Sequence, residues 1–191
     1  IDTLNKVLFL NEKNKPFVLI KDLQSQKDFF YIDNNFQENS EIDEMIRISC
    51  IEALKKDKST LINYKNKEFF LHVFNTPLKL IIIGAVHIAV SLIKIAKILG
   101  YQITLIDPRE SFLNSQEFSN INTISKWPDE ALKSISIDNR TAIVTLSHDP
   151  KLDEPALIEA LNSKAFYIGA LGSKKTHKKR IERLITLGVN E

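Results

Sequence analysis

Leu80-Ile81-Ile82-Ile83-Gly84-Ala85-Val86-His87-Ile88-Ala89 is the stretch that decides the fold of this chain. Four apolar residues in a row, rich in β-branched side chains, form the pattern of a strand buried on both faces of a parallel sheet. Gly84 ends the run. The spacing then predicts a helix from about Val86 to Leu99, closed by Gly100, since glycine takes the left-handed conformation that ends a helix without a side-chain penalty. Residues 102–107 read as a second strand, which finishes on Asp107. Strand, glycine, helix, glycine, strand and acid make a βαβ unit. Strands over 120–124, 142–146 and 165–168, with helices over 154–161 and about 176–187, continue it. Sequential parallel strands with right-handed crossovers predict an α/β fold, a Rossmann-like doubly wound parallel sheet.

Upstream of Thr76-Pro77 the character changes. Residues 17–20 and 29–32 read as strands, and Asp33-Asn34-Asn35 as a turn. Ser40, with Asp43 three positions on, reads as the N-cap of a helix. That helix carries Ile42, Met45, Ile46, Cys50, Ala53 and Leu54 on one face, at the spacing that buries a stripe, so Cys50 is expected to point into a core. Residues 60–64 and 68–74, joined through Lys65-Asn66-Lys67, read as a hairpin. The expected organisation is a small α+β module over 1–76 followed by the Rossmann-like domain over 77–191. No internal repeat or low-complexity segment interrupts either part.

The chain has 191 residues and is 43% hydrophobic, enough to bury a core in one ordinary domain or two small ones. Twenty-six basic residues against 24 acidic ones single out no polyanionic partner, so nucleic acid is not expected. One cysteine excludes an intrachain disulfide and every multi-cysteine metal site, which fits a reducing, cytoplasmic compartment. The four histidines, His72, His87, His148 and His177, have no short ligand spacing, so no metal site is expected. His87, Lys94 and Lys97 interrupt the most apolar stretch, which argues against a membrane span. Charged residues from Asp2 to Lys13 leave no apolar core for a signal peptide.

Three loops carry candidate chemistry. The turn Gly84-Ala85-Val86-His87-Ile88-Ala89 stands where a dinucleotide-binding protein has G-x-G-x-x-G/A. Gly84 suits the tight turn and Ala89 the close helix–strand contact, but Val86 occupies the place of the glycine that lets backbone approach a pyrophosphate. Asp107 lies roughly 20 residues beyond, the offset of an acid that meets a ribose hydroxyl. The second loop, Gly169-Ala170-Leu171-Gly172-Ser173-Lys174-Lys175-Thr176-His177, leads from a strand into a helix. Backbone N–H groups at a helix start, reinforced by lysines, suit phosphate or molybdate-like oxygens, although a solvated lysine face gives the same pattern. Ile181, Leu184 and Ile185 are expected to supply the buried stripe of that helix, and Lys175, Lys178, Lys179 and Arg183 its water-facing side. The third loop holds Ser147-His148-Asp149. Three consecutive residues cannot converge as a hydrolase triad, but His148 and Asp149 sit at a carboxyl strand end, where such sheets bind ligands, and so does His87.

Taken together, Gly84-Ala85-x-His87-x-Ala89, Asp107-Pro108-Arg109 with Phe112, His148-Asp149-Pro150-Lys151-Leu152-Asp153 with Pro155-Ala156-Leu157, and the block from Phe166 to Lys174 with His177 and Arg180 resemble the XdhC/CoxI family. The resemblance covers about Leu78 to Glu191, and its last two blocks are highly specific. It implies an accessory factor for molybdenum hydroxylases of the xanthine dehydrogenase or carbon monoxide dehydrogenase type. Such a factor binds molybdenum cofactor, protects it during sulfuration and assists its insertion. The implied partners are a molybdenum hydroxylase apo-enzyme and a cysteine desulfurase, with a homodimer as the expected assembly. The chain departs from the family at Val86, which is usually glycine. It also lacks the Gly-Gly-Cys stretch of the family's amino-terminal domain, so residues 1–76 read as a degenerate form of that domain. The family's pattern also runs on, past the last helix, into a histidine-containing, glycine-rich segment that is not found before Glu191.

Under this reading the protein is non-catalytic. Gly84 and the helix start that follows it meet one end of the cofactor, Gly169, Gly172, Ser173 and Lys174 form a second anion site, and His87 and His148 donate hydrogen bonds to molybdenum-bound oxygens or to the pterin; Ala85, Val86, Asp149 and His177 complete the expected cofactor-binding set. Asp107 and Arg109 select the nucleotide or pterin end. Two other classes compete: an NAD(P)-dependent oxidoreductase using His148 as acid–base group, against which Val86 argues, and a ligand-free scaffold that contacts the hydroxylase.

Overall fold

A computed structural model describes residues 2–37 and 43–189. The chain divides into two compact units, Ile1–Thr76 and Pro77–Glu191.

The first unit begins with helix α1 (Asp2–Glu12), which sequence reasoning missed. Strands β1 (Phe17–Asp22), β2 (Asp28–Ile32), β3 (Asn35–Gln37), helix α2 (Glu44–Lys56), β4 (Thr60–Tyr64) and β5 (Lys67–Phe74) follow. The strands form an antiparallel sheet in the order β3-β2-β1-β5-β4. Both expected turns are present: Asp33 and Asn34, and Lys65 and Asn66, all have positive φ, the geometry of a two-residue hairpin. Alternation along β1 sends Val18 and Ile20 toward α2, where they pack with Ile46, Cys50 and Ala53, while Phe17 faces Leu10 of α1. Cys50 is fully buried as expected, and burial pushes its thiol up to about 12. Met45, in contrast, is exposed. The capping position is filled by Asp43; Ser40 and Ile42 lie outside the described residues.

The second unit contains β6 (Lys79–Ile83), α3 (His87–Ile98), β7 (Gln102–Ile106), α4 (Glu110–Leu113), a 3-10 turn (Gln116–Phe118), β8 (Asn122–Ile124), α5 (Pro128–Ser134), β9 (Thr141–Thr145), α6 (Pro150–Leu161), β10 (Tyr167–Ala170) and α7 (Lys174–Thr186). All five strands run parallel in the order β10-β9-β6-β7-β8. Relabelled by position, that is the order 5-4-1-2-3 of a doubly wound Rossmann sheet.

The buried run of β6 shows why the strand reads as continuous apolar sequence. Leu80 and Ile82 face Ala89, Ile93 and Ala96 of α3, while Ile81 and Ile83 face Ala131 and Leu132 of α5 and Ala156 and Ala160 of α6. Each face has its own helical layer, so neither alternate position is free to be polar. Gly100 ends α3 with φ +77. Among the described residues no helix is long and apolar enough to cross a membrane.

The candidate functional site

The chain leaves β6 to build β7 and β8 on one side, then crosses to build β9 and β10 on the other. The carboxyl ends of β6 and β9 therefore flank the switch point, the place where open α/β sheets bind ligands. The loops leave the sheet at one level because backbone bonds continue past the strands: Gly84 N donates to Ile106 O at 2.8 Å, Leu146 N to Ile83 O at 2.9 Å, and Leu171 N to Thr145 O at 2.9 Å.

Gly84 is required twice over. Its φ is +102, and a β-carbon there would stand 2.9 Å from Ser147 Cβ and 3.0 Å from Ser147 N. Backbone cannot swing aside as a flexible side chain would, so glycine lets the β6 and β9 loops touch.

Asp107, at the end of β7, is fully buried. Oδ2 accepts from Ala85 N at 2.8 Å and Arg109 Nη2 at 2.7 Å, and Oδ1 from Arg109 N at 3.0 Å and Arg109 Nε at 2.8 Å. These four bonds fill the roughly four acceptor sites of a carboxylate. Burial alone pushes this carboxyl up, but the Arg109 guanidinium and the two amides outweigh it, so the group sits below its ordinary range. Asp107 thus holds the β6 turn and the Arg109 side chain in place. Arg109 also stacks over the Phe112 ring at 4.1 Å. Its proton is held chiefly by Asp107, with a further electrostatic contribution from Asp149.

Val86 is the N-cap residue of α3 and makes no side-chain cap bond. His87 and Ile88, both exposed, form the first turn beyond it and present the unpaired amides of a helix start. His148 is exposed at the end of β9 with φ +60. Among the described residues of this unit it is the one non-glycine residue with positive φ, a conformation that costs a histidine about 1–2 kcal/mol and is found disproportionately at functional sites. Asp149 caps α6, its carboxylate accepting from Lys151 N at 2.9 Å.

At the other end, Ser173 caps α7, with Oγ accepting from Thr176 N at 3.2 Å, and Lys174 opens the helix. Gly169 lies beneath the Tyr167 ring, 2.9 Å from where its β-carbon would be. His177 is exposed and lines a groove of about 520 Å³ with Leu157, Ile168 and Leu184. The buried stripe of α7 differs from the expected one: Arg180 and Leu184 are inside, whereas Ile181 and Ile185 are exposed. Arg183 does not face water alone, because its Nε reaches Glu154 at 2.6 Å.

Sequence reasoning left Asp153 and Arg180 out of the site, although they connect its two halves. Asp153 Oδ1 accepts from Ser147 Oγ at 2.6 Å, and Oδ2 meets Arg180 Nη2 at 3.4 Å. Arg180 Nη2 also donates to Leu171 O at 3.0 Å. Burial pushes the Asp153 carboxyl up, against the opposing pull of Ser147 and Arg180. The signal was present in the sequence: Asp153 stands among Leu152, Ala156, Leu157 and Ala160, on the apolar stripe of α6.

The second unit is thus a Rossmann-like α/β domain whose switch-point loops are tied together internally, with exposed histidines and two helix starts at its carboxyl edge. A family model of the XdhC Rossmann domain matches residues 80–191, and the chain belongs to the XdhC family. It is 45% identical over 58 residues to the molybdenum cofactor insertion chaperone PaoD of Escherichia coli strain K12, a match covering 30% of this chain and 18% of that protein. A crystal structure of a xanthine dehydrogenase from Bacillus halodurans shares the fold with TM-score 0.71 and 19% identity, over 95% of this chain and 53% of that one. The chain thus spans about half of that structure and a smaller part of the chaperone.

Proposed function

We propose that this protein is an accessory factor that binds molybdenum cofactor and assists its insertion into a molybdenum hydroxylase of the xanthine dehydrogenase or carbon monoxide dehydrogenase type. The observation that carries the reading is the 45% identity to a molybdenum cofactor insertion chaperone, in a chain of the XdhC family. The donor set suits such a ligand, whose phosphate and molybdenum-bound oxygens are anionic. Two helix starts, at His87 and at Lys174, turn N–H groups and positive dipole ends toward the carboxyl edge of the sheet.

In this reading the exposed imidazoles of His87 and His148 donate to ligand oxygens or to the pterin. Gly172, Ser173 and Lys174 take an anionic end, with Gly169 and His177 behind them, and Gly84, Ala85 and Val86 shape the opposite end. Arg109 is the cation that meets the ligand, and Asp107 positions it. Asp149 adjusts the field at Arg109. When bound, the cofactor supplies its own redox chemistry; this chain holds and orients it. A nicotinamide reading draws no support from Asp107, whose acceptor positions are filled from within the protein.

Titration with molybdenum cofactor in the absence of oxygen, followed by pterin fluorescence, tests the reading. His148→Ala combined with Lys174→Ala is expected to weaken binding at least tenfold. Unchanged affinity contradicts the two-ended site.

A further inference from the structure

Arg180 is 3% exposed, and its Nη1 is buried with no hydrogen-bond partner among the described residues. Its other terminal nitrogen is occupied by Leu171 O and Asp153. A buried guanidinium N–H without an acceptor is unfavourable, and the uncommon native examples mark places where a water or an ion belongs. The nitrogen lies beside the loop into α7, where a β-carbon on Gly172 would come 3.7 Å from Nη1 and 3.3 Å from Thr176 Cγ2. Gly172 itself is exposed. Gly172 thus places no side chain of its own against Nη1, next to the start of a 13-residue helix capped by Ser173.

We propose that Arg180 Nη1 and the start of α7 together bind a tetrahedral oxyanion of the phosphate class, either as the free ion or as the terminal phosphate of a larger ligand. A guanidinium presents N–H donors in a fixed plane that matches phosphate oxygens, and a helix start adds amides and a positive dipole end. Asp153 compensates part of the buried charge and fixes the guanidinium through Nη2, so Nη1 is held toward the loop rather than free to seek another acceptor. The exposed Lys174 and Lys175 add attraction at long range. This site shares its loop with the reading above, and its test is kept apart from that reading by using no molybdenum cofactor.

The full chain is titrated with inorganic phosphate, and separately with phenyl phosphate, by calorimetry at constant ionic strength in chloride. Saturable binding is expected, weakened at least tenfold by Arg180→Gln and at least tenfold by Gly172→Val, which fills the space beside Nη1 while keeping the charge. Lys179→Gln, which removes the same charge from an exposed position of the same helix, is expected to change affinity less than threefold. Phenyl phosphate binding as tightly as phosphate assigns the site to a monoester; its exclusion assigns the free ion. If Arg180→Gln fails to fold, Gly172→Val decides alone. The proposal is overturned if the wild-type chain shows no saturable phosphate binding, if Gly172→Val binds as the wild type does, or if Arg180→Gln and Lys179→Gln weaken binding alike. A chain with Arg180-dependent phosphate binding and no affinity for molybdenum cofactor would uphold this site and reject the cofactor reading.

Discussion

Asp107 accepts the Ala85 amide at 2.8 Å while both its oxygens hold Arg109. One buried carboxylate at the end of β7 therefore fixes the turn after β6 and aims the cation beside it. The position that a dinucleotide-binding protein uses for its ligand is used here by the protein itself. Asp107→Asn keeps the shape but replaces an acceptor oxygen with an N–H₂ group facing donors, and is expected to destabilise the chain by about 1–3 kcal/mol, measured by urea unfolding. Because the folded carboxyl lies below its ordinary value, the contribution is complete above the unfolded value of about 4 and is lost as pH falls through the folded one. The difference between wild type and variant should therefore shrink below about pH 4.

Gly84 and Gly100 separate contact from backbone strain. Both have positive φ, but a β-carbon at Gly84 would press on Ser147 whereas at Gly100 it would meet nothing within 4 Å. Gly100→Ala is expected to cost about 1 kcal/mol, from strain alone. Gly84→Ala adds a clash with backbone and should cost about 2–4 kcal/mol, an overpacking penalty of roughly 1–3 kcal/mol on top of strain. Equal losses in thermal or urea unfolding would mean that the two loops do not touch as described.

His148 carries strain at an exposed position. His148→Gly is expected to raise stability by up to about 1 kcal/mol, since relief of roughly 1–2 kcal/mol of left-handed strain exceeds the added chain entropy of glycine. The same variant should bind molybdenum cofactor more weakly. Gain in stability together with loss of binding is the signature of a residue held in place for a ligand.

Asp153 and Arg180 form a buried ion pair 27 residues apart in sequence. Asp153→Ala leaves the guanidinium inside without its counter-charge, a change of about 3–5 kcal/mol. Chemical denaturation reads it directly, and a loss under 1 kcal/mol would place Arg180 in contact with solvent.

Cys50 should resist thiol reagents in the native protein and react once urea unfolds it, because burial holds its thiol near 12 and leaves almost no thiolate at neutral pH. Cys50→Ser is expected to cost about 1–3 kcal/mol for burying a hydroxyl in apolar surroundings.

The parallel sheet was legible because strands covered on both faces leave an unbroken apolar signature, as in Leu80 to Ile83, and because Gly84 and Gly100 punctuate the βαβ unit. Helix α1 was not, since Leu4, Leu8 and Phe9 are exposed while Leu10 is buried, which blurs its period. Helix α5 was missed because a seven-residue helix gives too few turns for periodicity to register. On α7 the expected inner face holds at Leu184 but not at Ile181 and Ile185, which are exposed, while Arg180 turns inward to meet Asp153. The apolar stripe of α6 marks Asp153 as inward-facing, but which residue pairs with it across 27 positions leaves no local trace. The loops of the candidate site were marked by their glycines and histidines, but the internal use of Asp107 depends on side-chain geometry that spacing does not encode.

The proposal that this chain holds molybdenum cofactor can be read on the purified protein. Its most direct test is to purify the protein without oxygen from cells that make the cofactor, then measure molybdenum by elemental analysis and oxidised pterin by fluorescence, each per mole of protein. Both are expected near one. Neither rising above background would contradict the proposal.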